Sequence, residues 1–554
     1  MELFLSKKNL FFLYALLALV YVSGLFIPLM EHDSAAHAII AMRMYLENDF
    51  IHLYKGVEEY LDKPHMHFWL SAISYKIFGL TPWAYRIPAL LFTLIGAYSC
   101  YNLAKELYGS KAGHISSLIF LSAQAIILAN HDVRTDAVLT GASIYAIWQL
   151  VKYINNEKLL NAVLGSIGLG VAFSTKGQLA ILMIGSALLC YVLYSRKWKV
   201  VWNWKVLVGI IAFLITSTPM LYAYYLQFDL YPEKMVYGQK NVSGIKFIFW
   251  DQSFNRLTGD GFNSNNTDYF FFFHTLLWAF LPWAFITYIA IFDRSKELIK
   301  IRFKYKKGIE FLTVGGFWMV MIIINLSKSK LPHYMNSLFP VLAVLLSGYL
   351  VYLYETSKFK KLSILLYIQY FIIGVGSILI IVLVTYVFPA SYLKLLLYAI
   401  LFFTLVYYLF RKMELAPKIV VVSVLFSVFV NFSLNTQFYP SLLRYQAGIN
   451  MIDIIDKENI NVNDIYIFEK RNSWSLNFYT QRHTPELDLS ELNKNKGKWL
   501  FVYDQDIDTL RSTNVTWHMS YVVPHYRITM LKLPFLNPET RNEALSKAYL
   551  LHLN

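Results

Sequence analysis

The sequence predicts a polytopic α-helical membrane protein that ends in a small α/β domain, and three observations carry this prediction. The 554 residues are 57% hydrophobic with a mean hydropathy of +0.44, which is higher than soluble domains show. Apolar runs of about 18 to 25 residues, long enough to cross a bilayer, recur from Asn9 to Leu434. From about Asn435 the composition becomes polar and mixed. We therefore expect a transmembrane domain over 1–434 and a second domain over 435–554.

The apolar runs predict about thirteen transmembrane helices. The first run lacks a small-residue cleavage signal, so we interpret it as a retained helix and not as a signal peptide. The two cysteines, Cys100 and Cys190, lie inside apolar runs and are expected to be buried hydrophobic residues. The expected spans are 9–29, 86–104, 113–130, 136–153, 159–173, 178–195, 205–226, 270–292, 309–326, 334–354, 361–388, 391–410 and 418–434.

Basic residues cluster in alternate short loops, which the positive-inside rule assigns to the cytoplasm. The richest of these clusters runs from Arg294 to Lys307. These loops account for the formal net charge of +15, so nucleic acid is not an expected partner. The N-terminus is then cytoplasmic in a bacterial inner membrane, and an odd number of spans places the C-terminal domain in the periplasm. The loops 31–85 and 227–269 are periplasmic on the same count.

The C-terminal domain shows short β-like runs at 464–468, 499–503 and 526–533, after a helical segment. This alternation predicts a small α/β domain. It contains no compact motif, so we expect it to have a structural role or to present an acceptor.

Acidic and basic side chains gather at the span ends on the periplasmic side. A transporter or lipid flippase, the alternative class, more often carries its charges at mid-bilayer on broken helices. Charges gathered at one face of the membrane favour a substrate-binding site at that face over a transport pathway through the bilayer. The candidates are Asp33, Lys63, Arg86, Asp136, Lys176 and Lys330.

Six short motifs contain these residues and follow one another in a fixed order. Together they resemble the membrane glycosyltransferases of the GT-C fold that use polyprenyl-phosphate sugars, such as the lipid A aminoarabinose transferase and the protein O-mannosyltransferases. The resemblance covers roughly 1–440, although Ser34 stands where that family commonly has a second acid. The motifs are Asp33-Ser34 ahead of Ile40-Ala41-Met42, Asp62-Lys63-Pro64 ahead of Phe68-Trp69, Arg86-Ile87-Pro88, Arg134-Thr135-Asp136, Thr175-Lys176-Gly177, and Ser329-Lys330-Leu331-Pro332 with His333-Tyr334.

The resemblance implies a polyprenyl-phosphate-linked sugar as donor and an envelope lipid, a glycan or a protein hydroxyl as acceptor, with membrane lipids as neighbours. A carboxylate base gives single displacement with inversion, and Asp33 is the first candidate, with Asp136 the second. Fixed cations can neutralise a leaving phosphate, which suits Lys63, Arg86, Lys176 and Lys330. No cofactor is then required. A divalent metal remains an alternative, because His32, His37, His65 and His67 lie with Asp33 in the 31–85 loop.

The 227–269 loop is expected to act as a lid over the site. Three simpler roles remain open: Asp33 as a helix N-cap, Lys63 as a headgroup lysine, and Asp136 as the ion-pair partner of Arg134. A scaffold without activity that presents the C-terminal domain is a further alternative. The expected substrate contacts are Arg134, Arg256, His274, His333 and Tyr334.

Overall fold

The computed structural model describes residues 4–258, 267–306, 308–469, 471–513 and 515–554, and most of them are helical. The helices of the first half are α1 (Lys7–Leu25), α2 (Asp33–Glu47), α3 (Met66–Phe78), α4 (Pro82–Tyr108), α5 (Ser110–Leu121), α6 (Gln124–Leu128), α7 (Asp136–Asn156), α8 (Leu159–Lys176), α9 (Gln178–Ser195), α10 (Trp204–Tyr224), α11 (Gly244–Lys246) and α12 (Gln252–Thr258). The later helices are α13 (Phe271–Ala279), α14 (Ala284–Lys300), α15 (Leu312–Leu326), α16 (Phe339–Glu355), α17 (Phe359–Val382), α18 (Tyr392–Phe410), α19 (Leu415–Ser433), α20 (Tyr439–Leu443), α21 (Ala447–Lys457), α22 (Trp474–Tyr479), α23 (Asp504–Ser512) and α24 (Leu533–Leu536).

Within the described ranges, ten helices are long and apolar enough to cross a membrane. The ten coincide with ten of the expected spans, so the chain is an integral membrane protein. They are Lys7–Leu25, Pro82–Tyr108, Asp136–Asn156, Leu159–Lys176, Gln178–Ser195, Trp204–Asp229, Pro332–Glu355, Phe359–Val387, Tyr392–Phe410 and Leu415–Leu443.

The three remaining expected spans are shorter or interrupted, so the structure does not confirm the full count. The expected span 113–130 is divided into α5 and α6 at Ser122. The span 270–292 is divided into α13 and α14 at the segment that contains Pro282, which has no N–H to continue a helix. The two breaks lie together, since the indole of Trp283 donates to the Ser122 hydroxyl at 3.0 Å. The third span is α15, an apolar helix of 15 residues.

Helices α4, α7 and α8 form the part of the bundle beneath the polar loops. Thr81 caps α4 by accepting from the Ala84 N–H, and Pro82 occupies the first turn, where a missing N–H costs nothing. Helix α7 crosses α4 at Gly141, where a Cβ would collide with the carbonyl of Phe92. Small residues at such crossings let membrane helices approach closely.

The first polar loop folds into α2, a hairpin and α3. The hairpin consists of β1 (Tyr54–Lys55) and β2 (Glu58–Glu59), which pair antiparallel. Helix α2 packs against α3 and buries Ala35 and Ala38 with Tyr75 in one cluster. A charged loop is thereby converted into a folded layer over the helix ends.

The C-terminal part contains five strands: β3 (Ile465–Phe468), β4 (Glu486–Leu487), β5 (Trp499–Tyr503), β6 (Trp517–His525) and β7 (Ser546–Leu553). They form one mixed sheet in the order β4-β3-β5-β7-β6. Strand β3 pairs parallel with β4 and β5, whereas β7 pairs antiparallel with β5 and β6. Helices α21 and α23 cover opposite faces of the sheet. Helix α22 brings Phe478 into the same buried cluster as α2, so this part rests on the first polar loop.

Candidate active site

Asp33 is the first residue of α2, and its side chain is 57% exposed. It makes no side-chain cap there. Its Oδ2 atom instead lies 2.9 Å from Nη1 of Arg134, whose Nη2 lies 2.9 Å from Oδ2 of Asp132. Burial by itself lowers the pKa of Arg134, but the carboxylates of Asp132, Asp33 and Asp136 raise it above its usual value. Arg134 thus stays charged and fixes the position of an accessible carboxylate.

Asp136 and Lys176 form a buried ion pair, with 2.6 Å between Oδ1 and Nζ. Asp136 begins α7 and Lys176 ends α8, so each charge lies at the helix end that its sign favours. Gly177 ends α8 directly after the lysine with a φ of +62°, a conformation that glycine adopts without strain. The Thr175-Lys176-Gly177 motif therefore sets where the ammonium group lies.

His333 and Tyr334 connect these two ion pairs. Nδ1 of His333 lies 3.4 Å from Nη1 of Arg134, and Nζ of Lys176 lies 5.2 Å from the centre of the Tyr334 ring. His333 also interacts electrostatically with Asp136 and with Lys63. Four of the residues predicted from the sequence therefore lie around His333: Lys63, Arg134, Asp136 and Lys176. Asp33 joins them through its ion pair with Arg134.

Lys63 is largely enclosed, with its side chain 13% exposed, and pairs with the neighbouring Asp62. The Asp62 carbonyl accepts from Nε2 of Gln252 at 2.7 Å, which ties this motif to α12. Lys63 is near enough to influence His37 electrostatically as well. It thus faces the same site as the two ion pairs.

A cavity of about 250 Å³ opens beside Lys176 and Tyr334. Its polar lining comes from the end of α8, the start of α9, α12 and Ser327. Its apolar lining comes from leucines of α9 and isoleucines of α15. The lining residues are Lys176, Gln178, Leu179, Leu182, Gln252, Ser253, Ile323, Ile324, Ser327 and Tyr334.

Arg86, which the sequence predicts to bind the donor phosphate, is bonded to the backbone in this structure. Its guanidinium is fully buried and donates to backbone carbonyls on two segments: to His131 at 3.1 Å, to Leu25 at 2.8 Å, and to Ile27 and Pro28. It therefore joins the end of α1 to the α6–α7 connection. The sequence motif located a structural residue.

Lys330 and His274 meet around Asp268. Nζ of Lys330 donates to the Asp268 carbonyl at 2.8 Å, and Nε2 of His274 lies 2.6 Å from the Asp268 carboxylate. Burial lowers the pKa of Lys330, and Asp268 opposes this. Lys330 and His274 were both predicted as site residues, and they form a separate cluster around Asp268.

The expectation for the 227–269 loop falls partly outside the described residues. Arg256 belongs to α12, but its side chain is not among those described. Asp260 and the tract Asn263–Asn266 also lie outside the described residues. The described part of the loop contributes α11 and α12, and Gln252 of α12 contacts the site.

The loop histidines have separate partners. His65 bonds to the Ile51 carbonyl at 2.8 Å and His67 to the Tyr85 hydroxyl at 3.1 Å. His37 bonds to the Tyr60 hydroxyl at 3.3 Å. In the part of the chain that the structure describes, no three His, Cys, Asp or Glu side chains come together as a metal-binding group.

Glu31 was missed by the analysis of the sequence, although it lies two residues before Asp33. Its Oε1 accepts from the Ser473 hydroxyl at 2.9 Å and from the N–H and hydroxyl of Ser475 at 2.9 and 2.5 Å. Gln446 adds hydrogen bonds to the Glu31 N–H and the Leu29 carbonyl, at 2.7 and 3.0 Å. The C-terminal part therefore holds the segment that leads into Asp33.

The chain is similar to known proteins in sequence and in fold. The family model "dolichyl-phosphate-mannose-protein mannosyltransferase" matches residues 62–222. An undecaprenyl phosphate-α-4-amino-4-deoxy-L-arabinose arabinosyl transferase of Proteus mirabilis is 25% identical over 67% of this chain and 65% of the relative. A second, of Pseudomonas fluorescens, is 28% identical over 60% of this chain and 57% of the relative. The chain thus spans less than two thirds of either relative's length.

The crystal structure of ArnT from Cupriavidus metallidurans bound to undecaprenyl phosphate superposes with a TM-score of 0.74. The superposition covers 98% of this chain and 97% of that chain, at 18% identity. The chain has the GT-C fold. Its sequence and fold are both similar to those of glycosyltransferases that use polyprenyl-phosphate sugars, which confirms the resemblance found from the motifs.

Proposed function

We propose that this protein is an integral-membrane glycosyltransferase that moves a sugar from a polyprenyl phosphate to an envelope acceptor at the periplasmic face of the inner membrane. The observation that carries the proposal is the position of the exposed Asp33 carboxylate. It lies in one network with the buried Asp136–Lys176 pair, and Lys176 lines a cavity with an apolar wall. This arrangement supplies a base, a cation and a place for a lipid.

The donor fits the cavity beside Lys176. The polyprenyl chain lies against Leu179, Leu182 and Ile323, and the phosphate meets the ammonium group. Lys63 provides a second cation from the opposite loop. As the bond between C1 and the phosphate oxygen breaks, its electron pair passes to the phosphate, and fixed cations stabilise that charge. The scheme requires no cofactor.

Asp33 acts as the general base for a hydroxyl acceptor. It takes the hydroxyl proton while the acceptor oxygen bonds to C1 from the face opposite the phosphate, so the configuration at C1 inverts. Arg134 orients the carboxylate through the 2.9 Å contact. If the acceptor is itself a phosphate, it is already nucleophilic, and Asp33 positions it without removing a proton.

The names of the relatives support a particular donor. They are arabinosyl transferases that use undecaprenyl phosphate-linked 4-amino-4-deoxy-L-arabinose. A pentose of this kind is accordingly the first sugar to test, with an envelope lipid like lipid A as the first acceptor. An envelope glycan and then a protein hydroxyl follow.

We also propose thirteen crossings, with the α5–α6, α13–α14 and α15 segments added to the ten long helices. This count, with the basic loops inside, places the N-terminus in the cytoplasm. It places the C-terminal α/β domain, 435–554, in the periplasm, where it contacts the loop that holds Asp33. The transmembrane domain then comprises 1–434.

The test is turnover by protein purified in detergent, without any gradient. The enzyme should release undecaprenyl phosphate from a labelled undecaprenyl-phosphate aminoarabinose donor and transfer the label to a solubilised envelope fraction. A transporter or flippase would leave the donor intact under these conditions.

A further inference from the structure

A second and larger cavity, of about 600 Å³, forms a cleft between the C-terminal part and the segment that precedes Asp33. This volume is within the range of pockets that bind small ligands. The groups that line it are mostly polar or aromatic, and they come from segments far apart in the sequence. They include Glu31, Asn472, Tyr503, Gln505, Tyr526 and Arg527.

Two side chains that line this cleft are fixed by contacts with neighbouring residues. Glu31 is fixed by Ser473 and Ser475, as described above. Tyr526 stacks on Phe535, with 3.8 Å between the ring centres. Fixed side chains of this kind lose little conformational entropy when a ligand binds. The cleft is therefore a built surface and not a gap between mobile chains.

The cleft ends next to the proposed base. Glu31 and His32, which line it, directly precede Asp33. The donor cavity lies beside Lys176, which interacts electrostatically with His333, and His333 contacts the Arg134 that pairs with Asp33. No residue lines both cavities. Two ligands that enter by the two cavities would thus meet at Asp33.

The chemistry of the cleft suits a saccharide. Sugars are bound by side-chain amides, carboxylates and guanidinium groups that bond hydroxyls, with aromatic rings against the apolar faces. The cleft has Asn472 and Gln505 for the first role and Tyr503 and Tyr526 for the second. Its wall is too polar for a lipid chain.

The two arginines of the cleft differ in their partners. Nε of Arg471 lies 3.3 Å from the Asp506 carboxylate. Arg527 makes no ion pair with any described residue. It is therefore available to bond hydroxyls or an acidic group of a ligand.

We propose that this cleft binds the saccharide part of the acceptor and presents its reactive group to Asp33. The inference rests on the proposed function and names the place where the second substrate binds. It assigns acceptor recognition to the C-terminal part of the chain, in residues that no motif of the membrane part includes.

The test compares Arg527→Gln and Asn472→Ala with the wild type, with Arg511→Gln as the matched control. Arg511 is an exposed arginine of the same C-terminal part, outside the cleft. Transfer is measured from labelled undecaprenyl-phosphate aminoarabinose to a detergent-solubilised envelope fraction from cells that lack the protein. Donor concentration and envelope fraction are titrated separately.

Loss of one or two hydrogen bonds to the acceptor should raise the half-saturating amount of envelope fraction roughly tenfold in each cleft variant. The half-saturating donor concentration should match that of Arg511→Gln. Unchanged acceptor saturation, or equal changes for donor and acceptor, would overturn this inference and leave the proposed function standing. Absence of transfer by the wild type would overturn both.

Discussion

The Nζ atom of Lys176 lies 2.6 Å from Oδ1 of Asp136, and the two side chains are 0% and 4% exposed. An ion pair taken this far from water is sustained only by the mutual compensation of its charges. In the proposed mechanism the same lysine also meets the donor phosphate at the cavity wall. Lys176 thus contributes both to the stability of the fold and to binding of the donor phosphate, and substitutions can separate these two effects.

Lys176→Met should leave the Asp136 carboxylate buried without its cation. We expect the protein to lose about 3–5 kcal/mol of unfolding free energy, because an uncompensated buried charge is more costly than no pair at all. Thermal unfolding in detergent measures this. The double variant Lys176→Met/Asp136→Leu should regain stability and remain inactive. Equal stability of the single variant and the wild type would contradict the structural part.

Arg86→Met tests whether this arginine is structural. Its donors serve only backbone carbonyls in the described contacts, so the substitution leaves buried acceptors unpaired and should lower the unfolding temperature. The half-saturating donor concentration of the folded fraction should not change. A large rise in that concentration with normal stability would return Arg86 to the phosphate site.

Ser475→Ala tests whether the C-terminal part positions Asp33. The variant removes the 2.5 Å hydrogen bond from the serine hydroxyl to Glu31 and loosens the turn before α2. We expect kcat to fall by roughly tenfold, corresponding to about 1.4 kcal/mol, while donor saturation stays the same. Ser475→Thr retains the hydroxyl and should restore most of the rate. Failure of threonine to do so would indicate a packing effect instead.

The burial of His67 should make the free energy of unfolding depend on pH. Burial lowers its pKa from 6.5 to about 4, and Asp136 opposes this only in part. Between these values the unfolded chain binds a proton that the folded chain does not. Stability is therefore complete above about pH 6.5 and falls as the pH decreases toward 4.

His67→Phe should make this acid-side decline shallower, as followed by unfolding temperature against pH. His65 has a pKa lowered to about 4 by burial as well, so part of the decline should remain. His518→Phe changes an exposed histidine of the C-terminal part and serves as the control. An identical pH dependence in His67→Phe and the wild type would show that His67 is not buried as a neutral ring.

The membrane part was largely predictable because its signal is local. Length and hydropathy locate a span without knowledge of its neighbours, and ten expected spans correspond to long apolar helices. Of the remaining three, α15 is a continuous but shorter apolar helix, and the other two are interrupted for reasons outside hydropathy. Ser122 and Pro282 break these two where Trp283 packs against the serine, a contact between residues far apart in the sequence.

The site was predictable to the extent that its residues stand in short motifs at helix ends. Asp33, Asp136 and Lys176 begin or end α2, α7 and α8, as the motif positions indicate. The motifs do not show which side chains pair with one another in the folded protein. The pairing of Asp136 with Lys176, and not with Arg134, depends on how the helices pack, and so does the fixed position of Glu31 against Ser475. Arg86 shows the opposite case, a motif residue with a structural role.

The most direct measurement of the central claim is mass spectrometry of envelope lipids and proteins from cells that carry Asp33→Asn, compared with cells that carry the wild type and Lys328→Ala. A general base contributes a factor of about 10² to 10⁴ in rate. One glycoform should therefore disappear in Asp33→Asn alone while the protein still inserts at normal levels, and its mass identifies the sugar and the acceptor together. If every glycoform persists at wild-type levels in Asp33→Asn, Asp33 is not the base and the proposed mechanism is wrong.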